Sequence, residues 1–173
     1  MYTISTNIEL PIAHCLYRGA YSGLCCGNVY RDMTDDGQKE RYNLGNNVWP
    51  IVHGHNYIVT IDLQSEELDC NGMVVDFKLM KKIIHSYFDQ YDHSLILTPD
   101  NPLATAYLNN FKENGIDATR SRLFIWQKNP TAEYMARYWH GILVELFARE
   151  GLNIKKITIA VEETAHNKVI YTE

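Results

Sequence analysis

The segment from Ile51 to Leu63 constrains the fold of this chain more than any other stretch. Its residues alternate in character, which is typical of an extended strand whose successive side chains point to opposite faces. We therefore predict a strand in which two histidines and an apolar row share one face. That face carries His53, His55, Tyr57, Val59 and Ile61, and the other carries Asn56, Ile58, Thr60 and Asp62.

Other periodic segments complete an α+β pattern. Apolar residues at helical spacing predict one helix from about Phe77 to Tyr91 and a second that ends near Gly151. Asn129 is expected to cap the second helix, with Pro130 at its first position. Further expected elements are a short helix around Leu103 to Phe111 and strands at Tyr2 to Ile12, Leu123 to Gln127, Ile157 to Val161 and Val169 to Thr172.

The length of the chain is that of one ordinary domain. With 173 residues, of which 46% are hydrophobic and 21% charged, one core is expected. Residues 18–48 break the pattern with five glycines among polar and charged residues. We interpret about 28–48 as an insertion within a single domain spanning 1–173, and a loop of that length is either functional or partly disordered.

Charge and hydropathy limit the classes of partner. A formal net charge of -5 gives no general reason to bind nucleic acid or an anionic membrane. The sequence contains no apolar run of the roughly 20 residues that a membrane span needs, and its start lacks a basic signal region. We therefore expect a cytoplasmic protein that acts on a small molecule. There the cysteines would stay reduced, and their spacing contains no CxxC pair: Cys15, Cys25, Cys26 and Cys70.

His53 and His55 are candidate metal ligands. Residues two apart on a strand share a face, so both imidazoles can reach one zinc ion. His14 follows the first predicted strand and is the candidate third ligand. Three protein ligands leave zinc one open position, which is typical of catalytic sites. The alternative is that His53 and His55 are ordinary polar strand residues and that His14 is a core histidine bonded to a backbone carbonyl.

Two further groups are candidates for proton transfer and binding. Asp92 directly precedes His93, and a carboxylate can orient an imidazole and raise its basicity. Glu163 ends an apolar row, where it can accept paired hydrogen bonds from the amidine-like edge of a pterin or guanine. The alternatives are a helix C-cap with a solvated acid for the first group and a salt bridge to a basic residue for Glu163.

Six motifs in order along nearly the whole chain resemble the 6-pyruvoyl/6-carboxy-tetrahydropterin synthase family. The resemblance identifies His14, His53 and His55 with the family's zinc ligands. The motifs are Ala13-His14, His53-Gly54-His55-Asn56-Tyr57, Gly72-Met73-Val74-Val75-Asp76-Phe77, Asp92-His93, Asn129-Pro130-Thr131-Ala132-Glu133 and Glu162-Glu163-Thr164.

This resemblance implies an architecture and roles for the site residues. The expected architecture is the tunnelling fold, a four-stranded antiparallel sheet with two main helices on one face, which oligomerises into a β-barrel. Homohexamers built as dimers of trimers, with active sites between subunits, are implied as well. Glu163 would anchor the pterin substrate, and Asp92 with His93 would relay protons. Thr131, Glu133 and Thr164 would lie near the pterin.

The implied reaction starts from 7,8-dihydroneopterin triphosphate bound through Zn²⁺. Bacterial members form 6-carboxy-tetrahydropterin, acetaldehyde and triphosphate, an early step toward queuosine, whereas animal members form 6-pyruvoyl-tetrahydropterin. The sequence departs from the family because no cysteine stands just before His53. Cys26, followed by Gly27, is our candidate catalytic cysteine, ahead of Cys25. The alternative is a paralogue that binds zinc and a pterin with altered or no synthase activity.

Overall fold

The computed structural model describes residues 1–16 and 52–173, in which the chain forms six strands of one sheet. Their order across the sheet is β4-β3-β1-β2-β5-β6. Ser5 bonds Asp62 and Asn56 bonds Glu9, so β1 and β2 run antiparallel. The strands are β1 (Tyr2–His14), β2 (His53–Ser65), β3 (Ser94–Leu97), β4 (Leu123–Ile125), β5 (Lys156–Thr164) and β6 (Asn167–Thr172).

Three α-helices accompany the sheet in the described parts of the chain: α1 (Phe77–Phe88), α2 (Pro102–Glu113) and α3 (Ala132–Arg149). The Asp76 carboxylate caps α1 by accepting from the backbone N–H groups of Lys78 and Leu79. A 3₁₀ turn at Asp89–Tyr91 continues α1, which confirms the predicted extent of that helix. None of these helices is long and apolar enough to cross a membrane.

The α+β class is confirmed, and the two main helices and the short helix expected around Leu103 to Phe111 are all present. The four-stranded antiparallel sheet was wrong, because the described residues form a sheet of six strands. The pair β3 and β4 is also parallel. Strand β3 was missed because its four residues are too few to show an alternating pattern. The barrel remains a prediction, as does the single domain, and the predicted insertion lies outside the described residues.

Helix α3 begins later than predicted. Thr131, not Asn129, is the N-cap residue, and its hydroxyl accepts from the backbone N–H of Tyr134 at 3.3 Å. Both residue types are good caps, so the choice depends on which side chain reaches an unpaired N–H of the first turn. Past the other end of the helix, Gly151 adopts a φ of 70°, a conformation that glycine allows without strain.

The described chain divides into two compact units, of which the first comprises Met1–Ile12, His55–Ser94 and Thr131–Glu173. Its core contains Trp139, whose ring centroid lies 5.4 Å from that of Phe88 and 5.5 Å from that of Tyr91. Strand β2 pairs with β5 from Ile58 opposite Glu162 onward. The apolar row predicted for β2 is buried, since Tyr57, Val59 and Ile61 are each 0% exposed.

The second unit includes Leu95–Pro130. Its buried cluster consists of Cys15, Leu97 and Ala104, with partly buried apolar side chains around it. Leu97 also accepts a backbone hydrogen bond from Trp126 at 2.8 Å, so the segment after β4 is tied to β3.

We predict that Thr131→Ala lowers the free energy of unfolding by about 1 kcal/mol, because a backbone N–H of α3 loses its acceptor. Thr131→Ser keeps the hydroxyl and is the matched control, expected to remain close to wild type. Urea denaturation of the three proteins measures the difference. Equal stability of the alanine and serine variants would contradict the capping role.

Candidate metal centre

Three histidines meet at adjoining strand ends. Strand β1 ends at His14, its neighbour β2 begins at His53, and His55 follows on the same face of β2. One ring nitrogen from each side chain forms a group whose members all lie within 4.8 Å of one another. The structure thus brings together the three residues predicted to bind a metal.

The hydrogen bond of His14 fixes which of its nitrogens can bind a metal. The side chain is buried, and its Nδ1 lies 2.8 Å from the carbonyl oxygen of Pro130. A carbonyl only accepts, so Nδ1 carries the proton and Nε2 carries the lone pair. That Nε2 lies 3.1 Å from Nε2 of His53.

These residues fit a zinc ion. Two imidazole nitrogens at the usual zinc distance in a tetrahedron are roughly 3.3 Å apart, close to the separation of His14 and His53. A backbone carbonyl that holds the second nitrogen of a ligand histidine is the usual support for such a site. Imidazoles also suit copper, iron and nickel, so the three donors favour a transition metal without selecting zinc among them.

Glu163 lies beside this histidine group. Its Oε1 accepts a hydrogen bond from the Tyr57 hydroxyl at 3.1 Å and lies 3.6 Å from Nε2 of His55. Between Glu162 and Thr164 the ladder of β5 with β6 shifts its register, so Glu163 is the extra residue of a β-bulge. Bulges re-aim side chains and are common next to active sites.

Asp92 and His93 form the predicted pair. Nδ1 of His93 lies 2.9 Å from Oδ1 of Asp92. The backbone of His93 has a φ of 55°, which is strained for a residue with a side chain, and its N–H donates to the Pro11 carbonyl on β1 at 2.8 Å. The side chain of His93 is 77% exposed.

Thr131 and Thr164, which were predicted to lie near the substrate, form hydrogen bonds within the chain, and Glu133 lies exposed at the start of a helix. The Thr131 hydroxyl caps α3, and the Thr164 hydroxyl accepts from the backbone N–H groups of His166 and Asn167 in the turn after β5. Glu133 is exposed in the first turn of α3. Their roles in substrate binding remain predictions.

The candidate catalytic residues Cys25 and Cys26 lie outside the described residues. Of the two described cysteines, Cys70 is exposed and Cys15 is buried. Burial raises the pKa of the Cys15 thiol, although a side-chain hydrogen bond from Asn101 acts in the opposite direction. Cys15 therefore stays protonated near neutral pH and is a poor nucleophile, although it adjoins His14 in sequence.

Sequence reasoning missed two contributors to the site. Tyr57 belongs to the apolar row predicted for β2, and the only signal of its contact with the site was its position two residues after His55, on the same face of the strand. The Pro130 carbonyl gave no signal, because a backbone acceptor carries no residue-specific pattern and lies far from His14 along the chain.

The fold and the histidine group together define an α+β protein with a candidate metal site beside a carboxylate. The chain belongs to the 6-pyruvoyl tetrahydropterin synthase family, whose model matches residues 3–173. It is 30% identical over 111 residues to a 6-carboxy-5,6,7,8-tetrahydropterin synthase from Rickettsia felis, covering 63% of this chain and 75% of that protein.

Solved structures share the fold. An uncharacterized protein from Wolinella succinogenes superposes with a TM-score of 0.66 at 18% identity, over 98% of this chain and 97% of the other. A Plasmodium vivax 6-pyruvoyltetrahydropterin synthase, in which a catalytic glutamate is replaced by alanine, superposes with a TM-score of 0.61 at 16% identity, over 100% and 99%.

We predict that the wild-type protein binds one zinc ion per chain and that His53→Ala weakens zinc binding by more than ~100-fold, because a direct ligand is lost. His85→Ala is the matched control, since His85 is an exposed helix residue paired with Asp89. Competition with a chelator, followed by metal analysis, measures the affinities. Undiminished zinc binding by His53→Ala would contradict the ligand assignment.

Proposed function

We propose that this chain is a zinc-dependent 6-carboxy-tetrahydropterin synthase of the cytoplasm, acting in queuosine biosynthesis. Its substrate would be 7,8-dihydroneopterin triphosphate, and its products 6-carboxy-tetrahydropterin, acetaldehyde and triphosphate. The observation that carries the proposal is the three-histidine group with Glu163 directly beside it. The name of the Rickettsia felis relative supports this reaction over that of the 6-pyruvoyl branch.

His14, His53 and His55 would hold the zinc ion. Bound zinc supplies a Lewis acid, which makes hydroxyl and neighbouring C–H protons of a substrate easier to remove. All three ligands are neutral imidazoles, so they do not offset the positive charge of the ion. The hydrogen bond from His14 to Pro130 keeps one ligand oriented before any metal arrives.

Glu163 would bind the pterin ring. A carboxylate accepts two parallel hydrogen bonds from adjacent N–H groups, and the pterin offers them on its amidine-like edge. Because Glu163 is only 29% exposed, water competes weakly for those bonds. Thr131, Glu133 and Thr164 are the further residues proposed to lie near the ring.

Asp92 and His93 would move protons. Asp92 holds the Nδ1 side of the imidazole, so the Nε2 side exchanges the proton with the substrate or with a cysteine. A relay works best where water is excluded, yet His93 is 77% exposed in this chain. That exposure supports the proposal of a homohexamer, a dimer of trimers, in which a second subunit covers the residue and completes the active site.

The catalytic cysteine is proposed to be Cys26. Cys15 is close in sequence to His14, but its side chain is buried, so it is less suited to meet a substrate.

We expect zinc-loaded protein to convert 7,8-dihydroneopterin triphosphate to 6-carboxy-tetrahydropterin and acetaldehyde, identified by mass spectrometry. Cys26→Ala should lower kcat by about 100-fold or more, because proton transfer by a positioned group contributes on that scale, whereas Cys25→Ala is the matched control. Formation of 6-pyruvoyl-tetrahydropterin would assign the other branch. Zinc binding without turnover would identify a binding paralogue and refute the synthase proposal.

His93→Gly tests the relay separately from the fold. Glycine relieves the strain at a φ of 55° but adds freedom to the unfolded chain, so the free energy of unfolding should stay within about 1 kcal/mol of wild type. We expect kcat to fall by about 100-fold because the imidazole is absent. His93→Asn, which also tolerates this conformation, should lose activity equally. Retained activity in both variants would exclude His93 from the relay.

A further inference from the structure

Tyr57 connects the metal-binding strand to the proposed pterin-binding carboxylate. It lies on β2 two residues after His55, and its hydroxyl donates to Oε1 of Glu163 at 3.1 Å. We propose that Tyr57 is a positioning residue that holds the Glu163 carboxylate in the orientation that receives the ring. The inference rests on the proposed function, since it concerns how Glu163 binds a pterin.

The ring of Tyr57 is held firmly enough to act in this way. The residue is 0% exposed, and its ring meets that of His55 edge-on, with centroids 5.6 Å apart. A packed aromatic ring cannot swing, so the position of its hydroxyl oxygen is set by the core. The polar tip of Tyr57 is thus fixed relative to the backbone of β2.

The two residues face each other across neighbouring strands. The paired register of β2 and β5 places Ile58 opposite Glu162, and one step further along the ladder Tyr57 meets Glu163. In the ladder with β6, Glu163 is the extra residue of the bulge. At the bulge Glu163 lacks regular ladder pairing with β6, and the hydrogen bond from Tyr57 on β2 holds its side chain instead.

A hydrogen bond to one carboxylate oxygen restricts the orientations that the Glu163 side chain can adopt. A glutamate side chain has several rotatable bonds and loses much freedom when it binds a ligand in one orientation. The Tyr57 hydroxyl donates to one oxygen, Oε1, and an ionised carboxylate has about four lone-pair sites on its two oxygens, so this bond is compatible with a planar pair of N–H donors from a ligand. Much of the ordering needed for binding is therefore complete before the ligand arrives.

The test is a double-mutant cycle on zinc-loaded protein with 7,8-dihydroneopterin as the probe, its Kd measured by calorimetry. Tyr57→Phe should raise Kd roughly tenfold at unchanged zinc content, because one hydrogen bond to a charged group is lost. Glu163→Gln should raise Kd further. In the double variant, Tyr57→Phe should add nothing to Glu163→Gln, because Tyr57 acts through the carboxylate.

Tyr171→Phe is the matched control. The Tyr171 hydroxyl also donates to a carboxylate, that of Glu173 at 2.9 Å, so the same group is removed from a different strand. Its Kd should equal that of wild type. Glu163→Asp is a second variant, which keeps the acid but shortens its reach to Tyr57, and it should reproduce the weakening.

The outcomes separate the two proposals. If wild-type protein does not bind the probe, the proposed function fails and the inference fails with it. If wild type binds and Tyr57→Phe has an unchanged Kd, only the role of Tyr57 is overturned. Additive effects in the double variant, or loss of zinc in Tyr57→Phe, would make Tyr57 a structural residue and overturn the inference as well.

Discussion

The alternation of side chains along strand β2 places the candidate metal-binding histidines and the buried apolar residues on the same face of the strand. His53, His55 and Tyr57 share a face with the fully buried Val59 and Ile61. A slip of one residue in pairing would turn the histidines outward and expose the apolar row at the same time. The burial energy of the apolar residues therefore maintains the register that places His53 and His55 on the same face as the core residues.

Much of this arrangement was predictable from sequence because it is local. The repeat of β2 gave the shared face of His53 and His55, and helical spacing gave α1 to within its final 3₁₀ turn. Strand β3 and the start of α3 were not predictable in the same way. Strand β3 has only four residues, too few to show an alternating pattern. The start of α3 depends on whether Asn129 or Thr131 caps the helix, and both residue types are good caps.

The contacts that complete the site are long-range, which is why sequence left alternatives open. The alternative for His14, a buried histidine bonded to a backbone carbonyl, describes the structure correctly, and that bond is also what turns Nε2 toward His53. The two interpretations were therefore compatible. Glu163 accepts from the Tyr57 hydroxyl and lies near His55, and neither contact supports the alternative of a salt bridge to a lysine or arginine.

The bulge at Glu163 interrupts the regular pairing of β5 with β6 and at the same time determines where the Glu163 carboxylate points. Deleting one residue there would let β5 and β6 pair without interruption, and the hairpin would gain ladder hydrogen bonds. The same deletion would either remove Glu163 itself or turn Thr164, the residue of β5 that follows it, to the opposite face. Insertions and deletions in the β5–β6 hairpin are thus limited by the need to keep the Glu163 carboxylate in place. A relative with a shorter β5 would need to supply that carboxylate from another strand.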